Sequence, residues 1–183
     1  MPSRKSVRRA SPANDFYVKA LMQAHSLTPQ QIAERCAAEM QRSDHAAHSL
    51  GIELLAVGPG TASMRMTVRQ DMTNGHGICH GGFIFALADE AFAYACNTFN
   101  HNTVAANADI SFLAPAHVGD VLTARGLARQ QGGRSGVYDI EVMNQEDQPI
   151  ALFRGRAARI KGQLFEQDDA PGTSTGTSNG AES

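Results

Sequence analysis

The 183-residue chain predicts an α+β domain in which one antiparallel sheet wraps around a single apolar helix. Three observations predict it. Residues 81–98 form a helix-length run with hardly a polar side chain, so the helix expects cover on nearly every side. Stretches on both sides of that run switch to period two, as half-buried strands do. The breaks between those stretches are short, which makes neighbouring strands antiparallel.

Length and charge bound the remaining choices. The chain is long enough for one domain with a substantial core, and its net charge of -2 argues against a dedicated nucleic-acid binder. Arg4, Lys5, Arg8 and Arg9 crowd the start, while Glu166, Asp168, Asp169 and Glu182 follow the last basic residue, Lys161. Neither end has apolar periodicity. Residues 1–14 are therefore expected to be a disordered basic N-terminus and 163–183 a disordered acidic tail rich in Gly, Ser and Thr. No long apolar run opens the chain, so neither a secretory signal nor a membrane anchor is expected. Three cysteines, Cys36, Cys79 and Cys96, are too few and odd in number for a disulfide scaffold, and fit a reducing cytoplasm.

In chain order, residues 15–43 read as a helical extension. Asp15–Ala24 suggests a short helix, and Thr28-Pro29-Gln30-Gln31 starts a second one ending near Arg42, with Thr at the N-cap and Pro at the first helical position. The main domain is expected over 44–162. Ile52–Val57 and Ala62–Arg69 flank Gly58-Pro59-Gly60 as a hairpin. Asn74-Gly75-His76-Gly77 is a glycine-rich turn feeding the apolar helix. Four strands follow, Thr103–Leu113, Val121–Gln130, Gly136–Asn144 and Ile150–Ile160. In the first of these, Val104, Ala106, Ala108, Ile110 and Phe112 are expected to face the helix, and Asn107, Asp109 and Ser111 the other side.

One aspartate, Asp89, interrupts the apolar helix, with Glu90 beside it. Asp89 lies nine residues after His80, which opens the turn His80-Gly81-Gly82, and an unpartnered ionised carboxylate buried there would cost several kcal/mol (~2–7 for a polar group, more for a charge). The helix start, by contrast, presents unpaired N–H groups suited to a developing oxyanion, and Gly81 and Gly82 allow close approach. The eight residues from Gly81 to Asp89 put the two about 12 Å apart along the axis. A reacting group needs both within about 3 Å. Two antiparallel copies of the helix about a twofold axis bring Gly81 of one chain to Asp89 of the other, so the site is expected to be shared in a homodimer.

The run Asn74-Gly75-His76-Gly77-Ile78-Cys79-His80-Gly81-Gly82, then Asp89 and Ala91–Asn97, resembles the hotdog-fold acyl-CoA thioesterases of the phenylacetate-degradation type, PaaI. Phe112-Leu113-Ala114-Pro115, Gly136–Glu141 and Ala151–Gly155 resemble the same family, and the likeness spans roughly residues 44–162. It implies a hotdog fold and hydrolysis of an aryl-acetyl-CoA, such as phenylacetyl-CoA, to free acid and coenzyme A. Asp89 then matches the catalytic carboxylate and Gly81 the backbone donor to the thioester oxygen. Asn74 and His80 match polar residues that position the carbonyl or the water. A Ser or Thr common across from the carboxylate falls on Ala105, so no hydroxyl assistant is assigned. Coenzyme A is expected near the glycine-rich turn Gly132–Gly136, at Arg134, Ser135 and Gly136. No cofactor beyond the substrate's coenzyme A, no nucleic acid and no membrane are implied. The expected assembly is a homotetramer, a dimer of dimers.

Competing readings are weaker. His76, Cys79, His80 and Cys96 match no zinc spacing, so no metal is expected, and Cys79 beside His80 makes a poor dyad. Glu90, about 100° round the helix from Asp89, is read as structural. Arg154 and Arg156 are read as cross-strand partners of Asp139 and Glu141. A hotdog hydratase or dehydratase would recast Asp89 and His80 as a proton-removing pair. A non-catalytic acyl-CoA sensor would need a recognition helix that residues 15–42 do not supply.

Overall fold

In the computed structural model the apolar helix lies in the trough of a six-stranded antiparallel sheet. Residues 27–166 are described; the expected disordered start, the helix at Asp15–Ala24 and the tail from residue 167 lie outside them. The elements are α1 (Pro29–Gln41), α2 (His45–Leu50), β1 (Glu53–Gly58), β2 (Thr61–Thr67), α3 (Gly81–Asn97), β3 (Thr103–Phe112), β4 (Val121–Gly132), β5 (Ser135–Met143) and β6 (Pro149–Arg159). The strand order is β1-β2-β4-β5-β6-β3, so β1 and β3 are the edges.

Local chemistry accounts for most boundaries. Thr28 caps α1 in a reciprocal box: its hydroxyl accepts from Gln31 N, and the Gln31 side chain accepts from Thr28 N. The buried face of α1, Ala33, Cys36 and Ala37, follows the three-four helical spacing. The six-residue α2 is absent from the expectations, because one apolar-facing turn and a half is too short to show periodicity. Its signals are caps alone: Asp44 Oδ1 accepts from Ala47 N at 3.1 Å, and Gly51 closes it at φ +69°. The β1–β2 turn is Pro59-Gly60, with Gly60 at φ +72° as a tight turn requires.

The sheet admits α3 closely at two side-chain-free positions. A Cβ on Gly126 would meet the Ala91 carbonyl oxygen at 3.2 Å, and one on Gly155 would stand 2.8 Å from the Phe92 ring. Phe92 packs on Phe153 and edge-on to Tyr138, while Phe85 meets Phe153 at a centroid distance of 5.3 Å. Leu87, Ala88, Ala91 and Ala95 are wholly buried against the strands.

The helix-facing pattern of β3 departs from expectation. Pairing with β6 jumps from Ala105↔Ala157 to Asn107↔Arg156, so Ala106 is the extra residue of a β-bulge. The bulge inverts the alternation before it. Ala105 pairs with buried Ala157 on the helix side, and Val104 turns outward, 46% exposed. Ala108 and Ile110 do pack on the core, and Phe112 pairs with buried Ala151 on that same side. At the other end the body extends past the expected limit of 162. Asn100, at φ +55°, accepts from Leu164 N and Phe165 N through Oδ1 and donates to Phe165 O, burying Phe165 beneath Arg35.

Asn97 ties the end of α3 to β3. Its Oδ1 accepts from Thr103 N at 2.9 Å, and its Nδ2 donates to Ala93 O and Thr103 O, both at 2.9 Å. Asn97→Ala is expected to destabilise the fold by about 1–3 kcal/mol, because partners are left unsatisfied. Urea unfolding should show a lower midpoint at unchanged slope; an unmoved midpoint would remove this residue from the account.

Candidate active site

The approach to α3 is built by the Asn74 turn. Asn74 N donates to Ile78 O, Gly77 N returns to Asn74 O with Gly77 at φ +74°, and Asn74 Oδ1 accepts from His76 N at 2.9 Å. Cys79 N then donates to Ala116 O and His80 N to Met72 O, which fixes the last residues before the helix.

The first helical turn leaves one amide available. His80 is the N-cap: its Nδ1 accepts from Gly82 N at 3.0 Å and its carbonyl from Phe83 N at 2.9 Å. Gly81 N–H has no hydrogen-bond partner among the described residues. Gly81 lines a hollow of about 530 Å³ whose lining also includes Asn74, Cys79, Ile84, Phe112 and Pro115. Asn74 and Gly81, singled out from sequence, thus meet in one place. The Asn74 amide nitrogen has no partner among the described residues and is a second donor there. His80 does not line the hollow; its imidazole instead holds the helix start.

Asp89 is on the same unbroken helix, eight residues on and about 12 Å along its axis. Gly82, Ala86, Asp89 and Ala93 form the stripe of α3 that the sheet leaves partly uncovered, flanking the carboxylate with small residues. Burial alone raises the Asp89 carboxyl above its ordinary value, which makes its carboxylate a stronger base.

Glu90 belongs to a second group, which the sequence did not reveal because half of it lies on the short α2. Asp44, the α2 cap, accepts from Tyr94 Oη through Oδ2 at 3.3 Å and hydrogen-bonds Glu90. Burial, then the charge and hydrogen bond of Asp44, then the charge of Asp89 push Glu90 up to about 8. Burial and Asp44 also raise the Tyr94 phenol. Glu90 therefore keeps its proton near neutral pH and joins α2 to α3, in keeping with a structural role.

Arg134, Ser135 and Gly136 line a small cavity of about 40 Å³ near the far end of α3, with His101 and Arg159 beside them. The turn is tighter than expected. Gly132 pairs with Ser135, so only Gly133 and Arg134 form the loop, with Gly133 at φ +59°. Ser135 and Gly136 lie in β5, whose two neighbours consume its amides, so no cluster of free N–H groups is offered. Gly136 instead makes room for the Tyr138 ring, 2.8 Å from where a Cβ would stand. On the outer sheet face, Arg154 grips Asp139 at 2.6 and 2.8 Å and Arg129 adds a third contact at 2.8 Å, as the cross-strand reading expects. The guanidiniums hold the Asp139 carboxyl below its ordinary value. Arg156 has no ion-pair partner among the described residues. Among those residues no group of His, Cys, Asp or Glu is arranged to hold a metal, and no helix is long and apolar enough to cross a membrane.

Comparison with known proteins follows this geometry. The thioesterase superfamily matches residues 76–151, which run from the turn before α3 into β6. Acyl-coenzyme A thioesterase PaaI of Escherichia coli is 48% identical over 125 residues, covering 68% of this chain and 89% of the relative. The solved structure of the E. coli PaaI protein from the phenylacetic acid degradation operon superposes with a TM-score of 0.73 at 46% identity, covering 74% of this chain and 99% of that one. A protein of Streptococcus pneumoniae described as a hypothetical thioesterase and solved with coenzyme A gives a TM-score of 0.64 at 25% identity, covering 68% of this chain and 98% of that one.

The Asp44–Glu90 pair carries a pH signature. The folded chain holds the Glu90 proton where the unfolded chain, near its ordinary 4.5, releases it. This contribution to stability is complete below pH 4.5 and is lost as pH rises through about 8. Between pH 6 and 9 the melting temperature should fall more steeply for the wild type than for Glu90→Gln, which is neutral throughout. Parallel curves would show that Glu90 is already ionised.

Proposed function

The chain belongs to the thioesterase superfamily as a hotdog-fold acyl-CoA thioesterase of the PaaI kind, and from that premise we propose that it hydrolyses an aryl-acetyl-CoA at a site shared by two protomers. The observation that carries the shared site is the unpartnered Gly81 N–H on the same helix as Asp89, two turns away from it. One helix cannot present both groups to one carbonyl; two antiparallel helices can. Two further features support the pairing. The uncovered stripe of α3 has small residues on either side of Asp89, and the edge strand β3 exposes Val104 beside unpaired backbone.

In this scheme the Gly81 N–H and the Asn74 amide of one protomer hold the thioester oxygen, and charge developing there is met by fixed donors. His80 acts one step back, by fixing the helix start. Asp89 of the partner, its basicity raised by burial, either takes a proton from an attacking water or attacks the carbonyl carbon itself, giving a mixed anhydride that water then opens to the free acid. The C–S bond breaks and coenzyme A leaves as a thiolate. A thiol pKa of about 8.5 makes that departure feasible without a strong general acid. No cofactor enters the scheme.

The aryl-acetyl choice rests on the E. coli relative, a protein of a phenylacetic acid degradation operon. Arg134 is proposed to attract the coenzyme A phosphates, as the exposed charge at the tip of the β4–β5 loop. It stands at the Cys96 end of α3, and antiparallel pairing brings that end beside the partner's Gly81 turn. A cytoplasmic location and the assembly of dimers into a tetramer belong to the same proposal.

Two measurements test this. Asp89→Asn and Gly81→Pro chains should each release no thiol from phenylacetyl-CoA, while an equal mixture, dissociated and reassembled, should regain about a quarter of the wild-type rate, because half the dimers are mixed and each holds one intact site. Proline suits the first helical position, so the second variant removes the N–H without breaking the helix. Folded mixtures with no activity would sink the shared site. Arg134→Gln should raise KM several-fold for a coenzyme A thioester and leave a thioester lacking the nucleotide unchanged; equal effects would discard the phosphate contact.

A further inference from the structure

Phe112 sits in an unusual position for a large aromatic. It is 53% exposed, yet its ring lies directly against the helix start: a Cβ on Gly81 would stand 2.7 Å from Phe112 Cζ. The backbone around the ring is firmly held. Leu113 N and Ala114 N both donate to Ile150 O, and Cys79 N donates to Ala116 O. The backbone frame of the hollow is therefore hydrogen-bonded in place, and the half-exposed ring forms one wall of it. Cys79 and Ile84, each 3% exposed, close the back, so the hollow is a shallow bay.

Geometry assigns an occupant. A carbonyl oxygen held by the Gly81 N–H lies about 3 Å from that nitrogen. The carbon bearing it has two other substituents, about 120° apart. One is the sulfur, whose polar arm continues to solvent and the coenzyme. The other is the acyl group, and the hollow that Gly81 shares with the Phe112 ring is the space beside it.

We propose that Phe112 is the specificity-determining residue of the acyl bay, with its ring forming one wall against the ring of an arylacetyl group. This rests on the thioesterase reading and extends it to substrate selection. The bay rewards a compact, flat acyl group: acetyl leaves the wall uncovered, and a long alkyl chain runs past the closed back into water.

The test compares wild type with Phe112→Ala and Phe112→Leu on acetyl-, phenylacetyl- and hexadecanoyl-CoA. Thiol release is measured, and binding is measured separately with coenzyme A analogues carrying a methylene in place of the thioester sulfur. Loss of an aromatic pair is worth up to about tenfold. Phe112→Ala should therefore lower the phenylacetyl-to-acetyl ratio of kcat/KM about tenfold, with the same shift in analogue affinities, and Phe112→Leu should fall between. An unchanged ratio overturns the proposal, as does an equal loss on every substrate. Dissociation of Phe112→Ala into single chains by light scattering also overturns it, because the ring would then be filling a subunit contact. Wild-type chain that binds the analogues with the expected preference but releases no thiol would refute the thioesterase reading and leave the bay standing.

Discussion

The close seating of α3 in the sheet is the interaction on which everything else depends. Gly126 and Gly155 remove the side chains that would hold helix and strands apart, and Phe92 fills the space opened above Gly155. Burying this helix supplies the core, and the sheet's curvature leaves one stripe of it partly open. Asp89 lies on that stripe. A deeper position would have demanded a partner for the charge, and full exposure would have left its basicity unaltered. Partial burial raises the carboxyl without neutralising its usefulness.

The start of the same helix shows how hydrogen-bond accounting creates reactivity. An α-helix begins with unpaired donors, and proteins normally satisfy them. Here the His80 imidazole takes the Gly82 amide and the His80 carbonyl takes that of Phe83, which leaves the amide of Gly81, a residue lining the hollow beside Asn74, without a partner among the described residues. The Asn74 turn does two jobs: its carbonyl groups brace the loop, and its amide nitrogen stays available. The His80 imidazole holds the Gly82 amide through Nδ1. Its role is to orient the amides.

The N-terminal helices are joined to this machinery through a proton. Glu90, next to Asp89, meets Asp44 at the cap of α2, and burial makes the shared proton favourable. One carboxyl of the adjacent pair on α3 is thereby committed to structure, and the other is left for chemistry. The second anchor of α1 is the Phe165 ring beneath Arg35, itself held by Asn100. Thus the segments on either side of the sheet are packed into one body.

Much of this was legible in the residues. The hairpin at Pro59-Gly60, the capped α1, the length of α3 and the succession of strands along the chain follow from local rules: period, caps and turn residues act over a few positions and need no partner. The distance between Gly81 and Asp89 was equally readable, because helix rise is constant. What the sequence by itself determined, then, is the helix-in-sheet class, a thioesterase motif and the impossibility of one helix serving both ends of a reaction. Tertiary structure decided the rest. The bulge at Ala106 turned Val104 outward, the β4–β5 ladder took the amides of Ser135 and Gly136, Asp44 found Glu90, and the Phe112 ring came to lie on Gly81. Each depends on register between segments far apart in the chain, where a shift of one residue moves a side chain to the opposite face.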